Sequence, residues 1–156
     1  NEYDFYYLDY SVADFDKLFQ NYFLELFEMV KWGQFDVLSH LFYFIKYMPL
    51  EKALSFIQKY NYIIFDILKE CINKGIGIEV NTSGLRSGLG ITIPNFEYLK
   101  TYRKLGGELI TIGSDAHNLN DRKPNYGKAM DLIYNKLGED FYKKFIDKTY
   151  KIIEKK

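Results

Sequence analysis

The sequence predicts an α/β fold of parallel strands with helical crossovers, and three observations predict it. Three short runs, at 35–39, 76–80 and 109–112, read as strands, the third apolar and β-branched in the pattern of a buried one. Between and around them, apolar residues recur at helical spacing. The resulting order is helix, strand, helices, strand, helix, strand, helices, the alternation of a parallel sheet with helices on its faces. At 156 residues the chain suffices for one domain with a real core.

In chain order, residues 1–10 are dense in Tyr, Phe and Asp and read as extended or irregular. Ser11-x-x-Asp14 resembles a capping box with Asp in place of Glu. Phe15, Leu18, Phe19, Tyr22, Phe23, Leu26, Phe27 and Val30 then line one helical face, with Gly33 as the stop. Phe35 to Ser39 forms the first strand and delivers His40 at its end. Leu41 to Pro49 reads as an apolar loop lying over the core, and Leu50 to Asn73 as one or two helices ended by Gly75. Ile76 to Val80 is the second strand, leading through Asn81-Thr82-Ser83-Gly84-Leu85-Arg86 into a loop reaching Gly90. Pro94 suits the first turn of a helix carrying Phe96, Leu99, Tyr102 and Leu105, closed by Gly106-Gly107. The third strand runs into Gly113-Ser114-Asp115-Ala116-His117, and helices over 125–137 and 139–154 finish the chain, the second with Phe141, Phe145, Ile146 and Ile152 on its apolar face.

The polar residues gather at the strand ends. Strict alternation puts Asp36, Leu38 and His40 on one face of the first strand, and Gly77, Glu79 and Asn81 on one face of the second. On the third, Thr111, Gly113 and Asp115 oppose Ile110 and Ile112. Each strand thus has one apolar face and one that turns polar toward its C-terminal end, where barrels of alternating strands and helices build their sites. In extended chain Asp115 and His117 leave the same side and can converge on one ion, and carboxylate and imidazole are ordinary ligands of Zn, Mn or Fe. The plain alternative is a helix-capping Asp beside an incidental His. Both histidines of the chain, His40 and His117, fall at such strand ends, which favours a shared metal or anion site. Glu79 either joins that site as a further ligand or pairs with a neighbouring lysine. Asn81, Thr82, Ser83 and Gly84 either form an ordinary turn or, with Arg86, offer hydroxyl, amide and guanidinium donors to phosphate oxygens.

Composition narrows the classes. Acids and bases balance at 21 each, so neither nucleic acid nor a membrane surface is favoured electrostatically. No stretch is long and apolar enough to span a membrane. A single cysteine, Cys71, forbids an internal disulfide and fits a reducing, cytoplasmic setting. The 15 tyrosines and 13 phenylalanines imply a large buried interior or an extensive contact surface.

Three segments, Phe35-Asp36-Val37-Leu38-Ser39-His40-Leu41, Glu79-Val80-Asn81-Thr82-Ser83-Gly84-Leu85-Arg86 and Gly113-Ser114-Asp115-Ala116-His117, together resemble the polymerase-and-histidinol-phosphatase (PHP) superfamily, in particular its histidinol-phosphatase branch. The resemblance implies a distorted (β/α)7-type barrel with a multinuclear metal centre at the strand C-terminal ends. It matches His40 to the histidine of the third motif and Asp115 and His117 to the Asp-x-His of the fourth, as metal ligands with Asp115 and His117 catalytic. It makes Arg86, with Asn81 and Ser83, a substrate-phosphate contact. Two departures stand out. The opening His-x-His and the Glu and His ligands that follow have no counterpart, and Phe42 stands where the family often has an acid. The expectation is that 1–156 is the C-terminal portion of a single PHP-type domain, a partial barrel. The complete enzyme would hold two or three divalent ions and this chain one or none. It would hydrolyse a small phosphomonoester, first of all L-histidinol phosphate in histidine biosynthesis. The chain alone would be inactive and would self-associate through open sheet edges or its aromatic surface. A PHP phosphoesterase acting on nucleotides or nucleic acid, and a non-catalytic binding module, are the alternatives.

Overall fold

The computed structural model describes residues 14–118 and 125–154, with side chains to 146. Residues 1–13, and with them the aromatic N-terminus and Ser11, lie outside it.

Helix α1 spans Phe15–Trp32. Asp14 itself is the N-cap, its Oδ1 accepting the Lys17 N–H at 3.1 Å, so one carboxylate satisfies an orphan donor of the first turn. Gly33 ends the helix in the left-handed region, φ 71°. Phe19, Phe23 and Val30 point into the core from the expected face. Strand β1 is only Val37–Leu38. The segment after it is not a loop over the core. It forms a 3-10 turn, Tyr43–Lys46, and inserts Leu41, Phe42, Phe44, Ile45 and Met48 into the core, where Phe44 packs against Phe19 and Tyr22. Phe42 sits edge-on to Tyr98 with ring centroids 4.8 Å apart, so the position where the resemblance expects an acid is a core position.

Two helices follow, α2 (Leu50–Lys59) and α3 (Asn61–Lys74), broken at Tyr60 and ended by Gly75. Strand β2 (Gly77–Asn81) leads into a one-turn helix α4 (Ser83–Arg86). The glycine-containing loop then folds back, and Ile93 exchanges both backbone hydrogen bonds with Asn81 at 2.9 Å. Helix α5 (Phe96–Lys104) starts two residues after Pro94, because the Asn95 side chain, which can accept from the Tyr98 N–H, makes the cap. Strand β3 (Ile110–Gly113) and helices α6 (Tyr126–Leu137) and α7 (Glu139–Glu154) complete the described chain. Phe141 and Phe145 of α7 are buried as expected, while Ile152 lies outside the described side chains.

The sheet has the order β1-β2-β3, all parallel, with Leu38 opposite Ile78 and Asn81 opposite Gly113. Ile78, Val80 and Ile110 are buried against the helices. This is the predicted α/β architecture, and it brings all three strand C-terminal ends to one edge of the molecule.

Two alternation arguments fail at those ends. His40 and Asp115 both have positive φ, 60° and 51°, so neither belongs to extended chain. Leu38 is buried in the core while His40 is turned outward and half exposed, and the two do not share a face.

Candidate functional site

The left-handed conformation at His40 is held from both sides. Its carbonyl accepts the Tyr22 hydroxyl of α1 at 2.6 Å and the Tyr43 N–H at 3.0 Å. Its N–H points at Glu79 Oε2, 3.4 Å away, and its Nδ1 lies 3.9 Å from the same oxygen. Burial pushes the Tyr22 phenol far above its ordinary value, so the group stays a neutral donor. Glu79 in turn accepts from the Asn81 amide at 3.3 Å and lies across Gly113, where any Cβ would collide with its Oε1. A methyl group at 113 would push the Glu79 carboxylate off this position, so glycine on β3 leaves it room beside His40. The neighbouring lysine proposed as its partner from the sequence is not what Glu79 meets.

Asp115 is organised by two cations. The Lys46 ammonium bonds Oδ2, and Oδ1 faces His117 Nε2 at 3.9 Å. Arg86 reaches across from α4 and donates to the carbonyls of Ser114 at 2.8 Å and Asp115 at 3.1 Å. Burial works to raise the Asp115 pKa, but the Lys46 ammonium, with His40 and His117 behind it, outweighs burial and holds the carboxyl below its ordinary value. His117 itself is almost fully exposed.

These groups open on one cavity of about 690 Å³, lined by His40, Ser83, Arg86, Asp115 and His117 together with Lys46 and the aromatic rings of Tyr22, Tyr43 and Tyr47. Asn81 and Glu79 do not line it. Asn81 is buried and its amide is spent within the fold, Nδ2 on Glu79 and Oδ1 on the Ser83 N–H at 2.9 Å. Of the two residues expected beside Arg86, Ser83 lines the cavity, whereas Asn81 lies behind it and shapes the Ser83 turn. The Ser83 hydroxyl is buried at the cavity wall with no hydrogen-bond partner among the described residues, a costly arrangement unless something polar meets it there.

Sequence reasoning missed Lys46, Tyr22, Tyr43 and Tyr47. The signal for Lys46 was available: it is the single charge in the run Leu41–Leu50, and a charge kept within such a run needs a partner. Tyr22 left no signal, because on α1 it reads as one more core aromatic.

Among the described residues no three His, Cys, Asp or Glu side chains gather closely enough to hold an ion. Two donor pairs stand at the strand ends instead: Asp115 with His117 at the cavity, and His40 at the cavity with Glu79 behind it. Two donors of a tetrahedral zinc, each ~2.0–2.1 Å from the ion, lie roughly 3.3 Å apart. The 3.9 Å between Asp115 Oδ1 and His117 Nε2 is a small side-chain adjustment from that spacing, so the pair fits a divalent ion as part of a ligand shell.

A family model for capsular polysaccharide synthesis, CpsB/CapC, matches residues 20–154. The chain belongs to the CpsB/CapC family. Among curated relatives of this CpsB/CapC chain, one named probable histidinol-phosphatase from Clostridium acetobutylicum is 26% identical over 127 residues, 81% of this chain and 49% of the relative. Another of that name from Thermotoga maritima is 30% identical over 122 residues, 78% of this chain and 48% of the relative. The chain spans about half the length of both. Among solved structures, histidinol phosphate phosphatase from Lactococcus lactis, complexed with zinc, L-histidinol and phosphate, superposes with a TM-score of 0.68 at 22% identity, over 87% of this chain and 50% of that one. The likeness establishes the fold, and with the relatives it supports the PHP superfamily.

Proposed function

We propose that this chain forms part of a divalent-metal-dependent phosphomonoesterase whose substrate is L-histidinol phosphate. One observation carries the reading: an imidazole–carboxylate pair, a guanidinium and an unpartnered buried hydroxyl all line one cavity walled by aromatic rings. Asp115 and His117, with His40 and its partner Glu79, would hold metal, which when bound supplies Lewis acidity toward the phosphoryl oxygens. Arg86 would neutralise phosphate charge and Ser83 Oγ would donate to a phosphate oxygen. Tyr22, Tyr43 and Tyr47 offer flat apolar surface to the imidazole of the alcohol. The named function of the relatives and the ligands of the Lactococcus lactis structure agree with this substrate class.

The donor pairs fall short of a multinuclear centre, so the chain alone should release no phosphate above background. The test compares phosphate release from L-histidinol phosphate and from a short single-stranded oligonucleotide by the full-length protein, with and without chelator. Turnover of the oligonucleotide alone would replace this reading by a nucleic-acid phosphoesterase. The lack of a three-donor cluster among the described residues favours a second reading, a non-catalytic binding module. Phosphate binding without turnover in the full-length protein would establish it.

A further inference from the structure

Lys46 is a partly buried cation that the proposed chemistry does not use. Its side chain is 15% exposed, and its ammonium rests on Asp115 Oδ2, the carboxylate whose other oxygen faces His117. An ammonium removed from water in an apolar run requires such a counter-charge, and Asp115 supplies it across 69 residues of sequence. A second seat lies close by: the same nitrogen is 5.6 Å from the centre of the Tyr43 ring, which also lines the cavity. A divalent cation on Asp115 would place two like charges against one carboxylate at contact distance, where Coulomb repulsion in a half-buried site is strong.

We propose that Lys46 is the resident counter-ion of Asp115, which a divalent cation displaces toward Tyr43 as it binds. On this view Lys46 sets how tightly the Asp115–His117 pair holds its metal. The inference rests on the reading of Asp115 and His117 as metal ligands, and its test separates the two.

The experiment is a zinc titration of the chain in competition with a chromophoric chelator, on wild type, Lys46→Met, Lys46→Arg and Asp115→Asn. Lys46→Met keeps the apolar stem and removes the charge, and it should bind zinc about tenfold more tightly. Lys46→Arg should stay near wild type. A second measurement uses the wild-type chain alone: acylation of Lys46 by an amine-directed ester, read by peptide mass spectrometry, should speed up severalfold when zinc is added. Unchanged or weaker zinc binding by Lys46→Met, or protection of Lys46 by zinc, would overturn the role given to this lysine. If Asp115→Asn binds zinc as wild type does, the ion sits elsewhere and the reading of the site falls too. If Asp115→Asn loses zinc while Lys46→Met matches wild type, the site stands and only the displacement fails.

Discussion

At the residue scale, the arrangement at the strand ends depends on single atoms. Gly113 is present because the Glu79 carboxylate occupies the space a Cβ would take. Gly113→Ala should cost about 1–3 kcal/mol by overpacking, read from urea unfolding. The same substitution in a Glu79→Ala background should cost markedly less, since the colliding group is gone. Equal costs in both backgrounds would mean that β3 itself, not Glu79, resists the methyl group. Arg86 makes a related case. Its guanidinium donates from two nitrogens to the carbonyls of Ser114 and Asp115 while lining the cavity. Lysine cannot reproduce that fork, so Arg86→Lys in the full-length enzyme should raise KM about tenfold, with metal content unchanged. Loss of metal along with affinity would show that Arg86 acts by holding the Asp115 backbone.

At the element scale, α1 does more than cover the sheet. Its Tyr22 hydroxyl ties the helix to the carbonyl of His40, a residue held at positive φ. Tyr22→Phe keeps the ring contacts with Phe23 and Phe44 and removes the hydroxyl that donates to the carbonyls of His40 and Leu41. It should cost about 0.5–1.5 kcal/mol of stability. If His40 is a ligand, zinc affinity should fall as well, because an untied His40 relaxes from the left-handed region. Weaker stability with intact zinc binding would leave Tyr22 a packing residue. The 3-10 turn works the same way, since its buried Phe44 and Ile45 anchor the backbone that carries Tyr43 and Lys46 to the cavity.

For the whole molecule, one core joins α1, the 3-10 turn, α2, α3, α5 and the sheet, and α6 and α7 enter it through Ile133, Leu137, Phe141 and Phe145, with α6 packed on α5. Among the described residues the sheet stops at β1 on one side and β3 on the other. Parallel sheets are ordinarily covered on both faces and edges, and bare edges pair with other chains. The isolated chain should therefore self-associate, which sedimentation velocity across a range of micromolar concentrations will show. A concentration-independent monomer would mean that the edges are already protected.

Fold class and most element limits were legible in the residues themselves. Helical periodicity placed α1 from Phe15, and Gly33 and Gly75 marked helix stops because a left-handed residue there satisfies the last carbonyls at little steric cost. Period-two alternation put Ile78 and Val80 on the buried face of β2. These are local properties, carried by neighbours within a few positions. Periodicity lost its meaning where the chain left the strands: positive φ at His40 and Asp115 broke the alternation, and both histidine placements came from turns instead. The pairing of Lys46 with Asp115, of Tyr22 with His40, and of Glu79 with the bare face of Gly113 joins residues 18 to 69 positions apart or on adjacent strands. Such contacts have no period to read. Only the packed sheet, by bringing three strand ends to one edge, decided which polar groups face the cavity and which, like Asn81, are consumed in holding it open.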